Sequence, residues 1–60
     1  MTSPKTVALI PAYNEEGSIT GTIQSLKDLE PIGQVVVVDD GSTDNTASLS
    51  KKAGALVVRL

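Results

Sequence analysis

Two polar clusters in this sequence could do chemistry, and each follows directly on a short apolar run. Val7–Ile10 leads into Pro11-Ala12-Tyr13-Asn14-Glu15-Glu16, and Val35–Val38 leads into Asp39-Asp40-Gly41-Ser42-Thr43-Asp44. Five of the seven acidic residues fall here (Glu15, Glu16, Asp39, Asp40 and Asp44), together with Tyr13, the only aromatic residue of the 60. Carboxylates accept hydrogen bonds from N–H and O–H donors such as a base edge or ribose hydroxyls. They do not grip phosphate, so a diphosphate beside them calls for a divalent cation. Tyr13 offers a flat face on which a base could stack, and equally a half-buried anchor for its loop. For Glu15, Glu16 and Asp44, a place near the positive end of a helix, favourable by ~0.3–1 kcal/mol each, is a sufficient explanation. It explains Asp39 and Asp40 less well. Two like charges directly behind a buried valine run repel each other, one of them partly desolvated, where a single capping residue would have served.

The elements that must position these clusters are legible from the apolar spacing. Val7–Ile10 lacks alternation and stops at Pro11, which reads as a buried strand. Ile19, Ile23, Leu26 and Leu29 recur at helical spacing. Asn14 or Ser18 can cap this helix, Gly21 costs it slightly, and Glu30-Pro31-Ile32-Gly33 ends it. Gly17 and Gly21 read as a close-packing or helix-start feature. Val35–Val38, β-branched throughout, reads as a parallel strand covered on both faces. Thr43 or Asp44 can cap a second helix running to about Ala53, with Gly54 at its C-terminal turn. Ala55–Leu60 reads as a third strand. The order strand, helix, strand, helix, strand with right-handed crossovers predicts an α/β fold. This is a three-layer Rossmann-like βαβαβ segment with parallel strands, half of a doubly wound domain. Both polar clusters then emerge at the carboxyl edge of the sheet, where open α/β sheets bind ligands. Two short helices are too few to cover both faces of such a sheet, and two edges stay open. Residues 1–60 are therefore expected to form part of a domain of a longer enzyme, or to self-associate.

Composition excludes several functions. There is no cysteine and no histidine, which removes disulfides, thiolate metal sites and the commonest general base. With 5 basic against 7 acidic residues and a formal charge of −2, the chain lacks the cationic footprint that nucleic acid requires. No run approaches the ~20 apolar residues of a membrane span, and the first residues do not read as a signal peptide. A cytoplasmic location is the expectation. Neither GxxxxGK nor GxGxxG occurs. Phosphatase and receiver chemistry fit poorly, since Gly41 stands where the former needs a second carboxylate and the third strand has no aspartate. Lys51 and Lys52 suit the end of the second helix as solvated cations.

Taken together, "VALIPAYNEEGSI" and "VVVVDDGSTDNT" resemble the N-terminal region of family 2 glycosyltransferases, which have the GT-A fold. The resemblance covers nearly the whole chain and rests on two separated motifs. It implies the front half of a nucleotide-sugar-binding domain, with Pro11, Ala12 and Tyr13 lining the base and Glu15 approaching the ribose or base. Asp40 would accept from the base N–H, and Asp39 would support it or the ribose. It also implies a UDP- or GDP-sugar donor, an acceptor of unknown identity, and a Mn²⁺ or Mg²⁺ ion. That ion is bound in the family by a later Asp-x-Asp-like motif. Metal ligands and catalytic residues are thus expected outside this segment, and the 60-residue chain alone is expected to be inactive. The alternative is a non-catalytic nucleotide-binding or assembly module.

Overall fold

The structure, a computed structural model, describes residues 6–29 and 32–60. The chain runs β1 (Thr6–Ala12), α1 (Ile19–Leu29), β2 (Ile32–Asp39), α2 (Thr46–Lys52) and β3 (Leu56–Arg59). The three strands form one sheet in the order β1-β2-β3, and both pairings are parallel. The register sets Ala8 beside Val35, Ile10 beside Val37 and Ala12 beside Asp39, while Asp39 also stands beside Arg59.

Several boundaries differ from those read in the sequence, among them β3, which runs Leu56–Arg59 and not Ala55–Leu60. β1 runs through Pro11 to Ala12 instead of stopping at Ile10. The Ala12 carbonyl faces β2, where it accepts the Asp40 N–H at 2.9 Å. Backbone groups alternate along a strand, so the missing Pro11 N–H falls on the side away from β2, where no described strand needs it. β2 begins at Ile32, so Ile32 and Gly33 belong to a strand and not to the end of a helix. The Glu30–Pro31 part of the expected helix stop lies outside the described residues. The second helix starts at Thr46 with Asn45 at its cap position, one residue beyond Asp44 and two beyond Thr43, the caps expected from the sequence; residues 42–45 are drawn into bonds with the loop after β1.

The core is one cluster of Ala12, Ile19, Ile23, Val35, Val37 and Ala53, with Ala8, Ile10, Leu26, Leu49, Ala55 and Val57 packed against it. The helical spacing of Ile19, Ile23 and Leu26 thus faces the sheet as expected. Two right-handed crossovers between strands in sequential order place both helices on the same face. α1 touches α2, and Lys27 Nζ at the end of α1 donates to the Ala53 carbonyl at 2.8 Å. Of the three expected layers, the described residues therefore supply the sheet and one helical layer. The opposite face carries Val7, Leu9, Leu56 and Val58, all exposed, with Leu9 at 67%. Val36 and Val38 of the central strand are half-buried there. The apolar character that predicted cover on both sides is present, but only one side is covered by described residues.

α2 ends as the sequence implies. Gly54 takes a φ of +96°, the left-handed region. Its N–H reaches the Lys51 carbonyl and the Ala55 N–H the Ser50 carbonyl, both at 3.0 Å. This pair of bonds closes a Schellman turn. Gly21 is different: a Cβ there, or at Gly17, would meet nothing within 4 Å, so no described residue packs closely against either glycine. Substituting Gly54→Ala should destabilise the fold by about 1–2 kcal/mol, since the new Cβ would also push Lys27 Nζ off the Ala53 carbonyl. Gly21→Ala should stabilise it by up to about 1 kcal/mol. Denaturant unfolding measures both, and a Gly54→Ala protein as stable as its parent would contradict this account of the turn.

Candidate functional site

β1 and β2 end side by side, and two loops leave the sheet together. The first loop is set by Asn14, whose φ of 51° is left-handed, a conformation that asparagine tolerates better than most residues. From there its N–H donates to Ser42 Oγ at 2.8 Å, and its Oδ1 accepts the Thr43 N–H at 2.9 Å. The next two residues continue the stitching. The Glu15 N–H donates to Thr46 Oγ1 at 2.8 Å and the Glu16 N–H to Asp44 Oδ2 at 3.2 Å. In return, the Asn45 N–H donates to Glu16 Oε1 at 3.1 Å. Asp44 Oδ1 also accepts the Thr46 N–H at 2.9 Å, so Asp44 still bonds the start of α2, but from one residue before the cap position, Asn45, whose own side chain makes no cap bond. Asn14 is spent on the other loop and does not cap α1. Ser18 holds that position, its carbonyl accepting the Thr22 N–H at 3.0 Å.

The paired aspartates have opposite fates. Asp39 is 0% exposed. Its Oδ1 accepts the Ser42 N–H at 2.9 Å, while Oδ2 faces Arg59 Nε at 3.4 Å with no hydrogen-bond partner. Arg59 Nη2 donates to the Ser42 carbonyl at 2.9 Å. Asp40 is exposed, one step further along the loop. One of the two is thus desolvated and the other presented to solvent. The Ser42 hydroxyl and N–H hold the Asp39 carboxyl below its ordinary value; burial opposes them and the Arg59 charge adds to them. At Asp44, desolvation pushes the value up, but hydrogen bonds from Thr46 and from the Glu16 backbone outweigh it and the net shift is down.

The residues singled out in the sequence are brought to one edge but present different groups. Tyr13 is 56% exposed, and Glu15 and Asp40 are exposed beside it in sequence and across the loop pair. Pro11 is exposed on β1. Ala12 is 4% exposed, its methyl in the core, so it offers backbone rather than side chain. Sequence reasoning missed Asn14 as a cross-loop acceptor, Ser42 and Thr46 as receivers of the first loop's N–H groups, and Arg59 altogether. Arg59 could have been found by aligning the carboxyl ends of β2 and β3, which sets it beside Asp39. Among the described residues no group of three or more His, Cys, Asp or Glu is placed to hold a metal ion.

The family profile of glycosyl transferase family 2 matches residues 7–60. The chain belongs to this family. It is 42% identical over 59 residues to the glycosyltransferase AglJ of Haloferax volcanii, covering 97% of this chain and 19% of that protein. It is 43% identical over 53 residues to an undecaprenyl-phosphate 4-deoxy-4-formamido-L-arabinose transferase of Proteus mirabilis, covering 82% of this chain and 16% of that protein. Among solved structures it is similar to glucosyl-3-phosphoglycerate synthase from Mycobacterium tuberculosis in complex with UDP. The TM-score is 0.78 at 36% identity, over 92% of this chain and 21% of that one. The same synthase in complex with Mn²⁺, UDP-glucose and phosphoglyceric acid matches with a TM-score of 0.77. This family 2 chain therefore has the α/β arrangement of the GT-A fold, and it spans about a fifth of the length of these relatives.

The depressed carboxyls make this family 2 chain acid-sensitive. A carboxyl whose folded value lies below its unfolded value of about 3.9 adds stability that is complete above that pH and is lost as pH falls through the folded value. Asp39 and Asp44 both shift in that direction. Stability should fall as pH drops below about 4, and with a smaller slope in Asp39→Asn. Unfolding free energies across this range give the slopes directly, and identical slopes in parent and variant would contradict the assignment.

Proposed function

We propose that this segment is the nucleoside-binding part of a longer glycosyltransferase, one that moves a sugar from a nucleotide-diphosphate-sugar donor to an acceptor. The observation that carries this reading is the exposure of Tyr13 and Asp40 at one sheet edge, on two loops bonded to each other through Asn14, Glu15 and Glu16. The base lies on the Tyr13 ring beside the Pro11–Ala12 backbone. Asp40 accepts from the base N–H, a group that both uracil and guanine possess, and Glu15 reaches the ribose. Asp39 acts from beneath, through the loop. UDP-sugar is the favoured donor, because a similar synthase is found with UDP and with UDP-glucose. A Mn²⁺ or Mg²⁺ ion, such as accompanies that synthase, would take its ligands from outside the described residues. The residues that activate the acceptor would likewise lie elsewhere, so this segment binds donor and does not by itself transfer it. No helix among the described residues is long and apolar enough to cross a membrane. A cytoplasmic location is part of the proposal.

Titration of UDP and GDP into the transferase that carries this segment tests the reading. Asp40→Ala should weaken UDP binding by about 10-fold or more, the worth of a hydrogen bond to a charged group. Asp28→Ala, exposed in the last turn of α1, should leave it unchanged. Equal effects, or none at Asp40, would remove the base contact from the proposal. Sugar transfer by the 60-residue chain alone would overturn its division of labour.

A further inference from the structure

Asp39 and Arg59 make an arrangement that donor binding does not by itself require. A fully buried carboxylate is costly unless it is paired. Here one oxygen takes the Ser42 N–H, and the other has only the guanidinium at 3.4 Å. The same guanidinium holds the Ser42 carbonyl at 2.9 Å. Ser42 is therefore gripped at its N–H by Asp39 and at its carbonyl by Arg59, while its hydroxyl accepts the Asn14 N–H at 2.8 Å. The planar fork of arginine can serve two acceptors at once, which a lysine ammonium does less well. Asp40 and Gly41 lie between the two braced residues, and Gly41 has a φ of +78°. The backbone that presents Asp40 is thus fixed at both ends. A backbone bond from the Leu60 N–H to the Asp39 carbonyl at 2.9 Å ties the end of β3 to the same place. Lys27 meets the end of α2, and Lys51 and Lys52 lie in its last turn. Among the described residues Arg59 is the one cation at the carboxyl edge.

We propose that Arg59 is a positioning residue for nucleoside recognition: paired with buried Asp39, it clamps Ser42 and so sets where Asp40 meets the base. This rests on the donor-binding reading above. The clamp acts on the base subsite, so its loss weakens uridine and UDP by the same factor, whereas a direct phosphate contact would weaken UDP alone.

The test uses the transferase that carries this segment and measures Kd for uridine and for UDP in the parent, in Arg59→Leu and in Asp39→Asn/Arg59→Leu. The double variant leaves no unpaired buried charge, which separates positioning from loss of the fold. Both variants should bind uridine and UDP about 10-fold more weakly, by equal factors. A loss confined to UDP overturns the proposal, as does a double variant that binds like the parent. A parent that binds neither ligand sinks the donor-binding reading itself, and the clamp with it.

Discussion

The last rung of the β1–β2 ladder, from the Asp40 N–H to the Ala12 carbonyl, is the constraint from which the rest of this edge follows. Parallel pairing makes the two strands end on the same side, and this bond makes them end at the same height. Asn14 is then near enough to Ser42 and Thr43 to bond both. The first loop's N–H groups find acceptors in the second, the last of them Thr46 at the start of α2. A one-residue slip in the register would move Asp39 off the helix side of the sheet and Asp40 into it, exchanging the buried and the exposed carboxylate.

Electrostatics and backbone geometry reinforce each other here. A buried carboxylate favours a tight turn around it, because local N–H groups are the cheapest compensation for lost water. Ser42, three residues after Asp39, provides that compensation. Arg59 completes it from the neighbouring strand without being buried itself, its side chain being 56% exposed. The side chain stays more than half exposed while its guanidinium shields one carboxylate oxygen, an arrangement that avoids the larger cost of burying both charges.

Much of this was legible in the sequence, for identifiable reasons. Ile19, Ile23 and Leu26 announced their helix by spacing, Val35–Val38 their strand by β-branching, and Gly54 its turn by being glycine. The two acidic loops could be placed at one edge from topology alone. What could not be read was pairing across distance in the chain. Pro11 continues a strand because its neighbour lies only on one side, and Ile32 joins β2 because Thr6 lies alongside it, with Gly33 taken up where the register shifts before Val7 meets Gln34. Neither fact has a local signal. Asn14 and Thr46 look like ordinary loop and cap residues until the two loops are seen together. Arg59, alone among apolar neighbours, gains meaning only from the register with Asp39. That the described residues form one helical layer follows from crossover handedness and strand order, a geometric consequence that composition does not carry.

The stitching between the loops has a thermodynamic consequence for whatever docks there. Flexible binding loops lose conformational entropy when a ligand orders them, and that loss subtracts from affinity. In this chain the backbone from Asn14 to Glu16 and from Ser42 to Thr46 is ordered by its own hydrogen bonds. The ordering cost is met during folding, and the edge is preorganised before any ligand arrives.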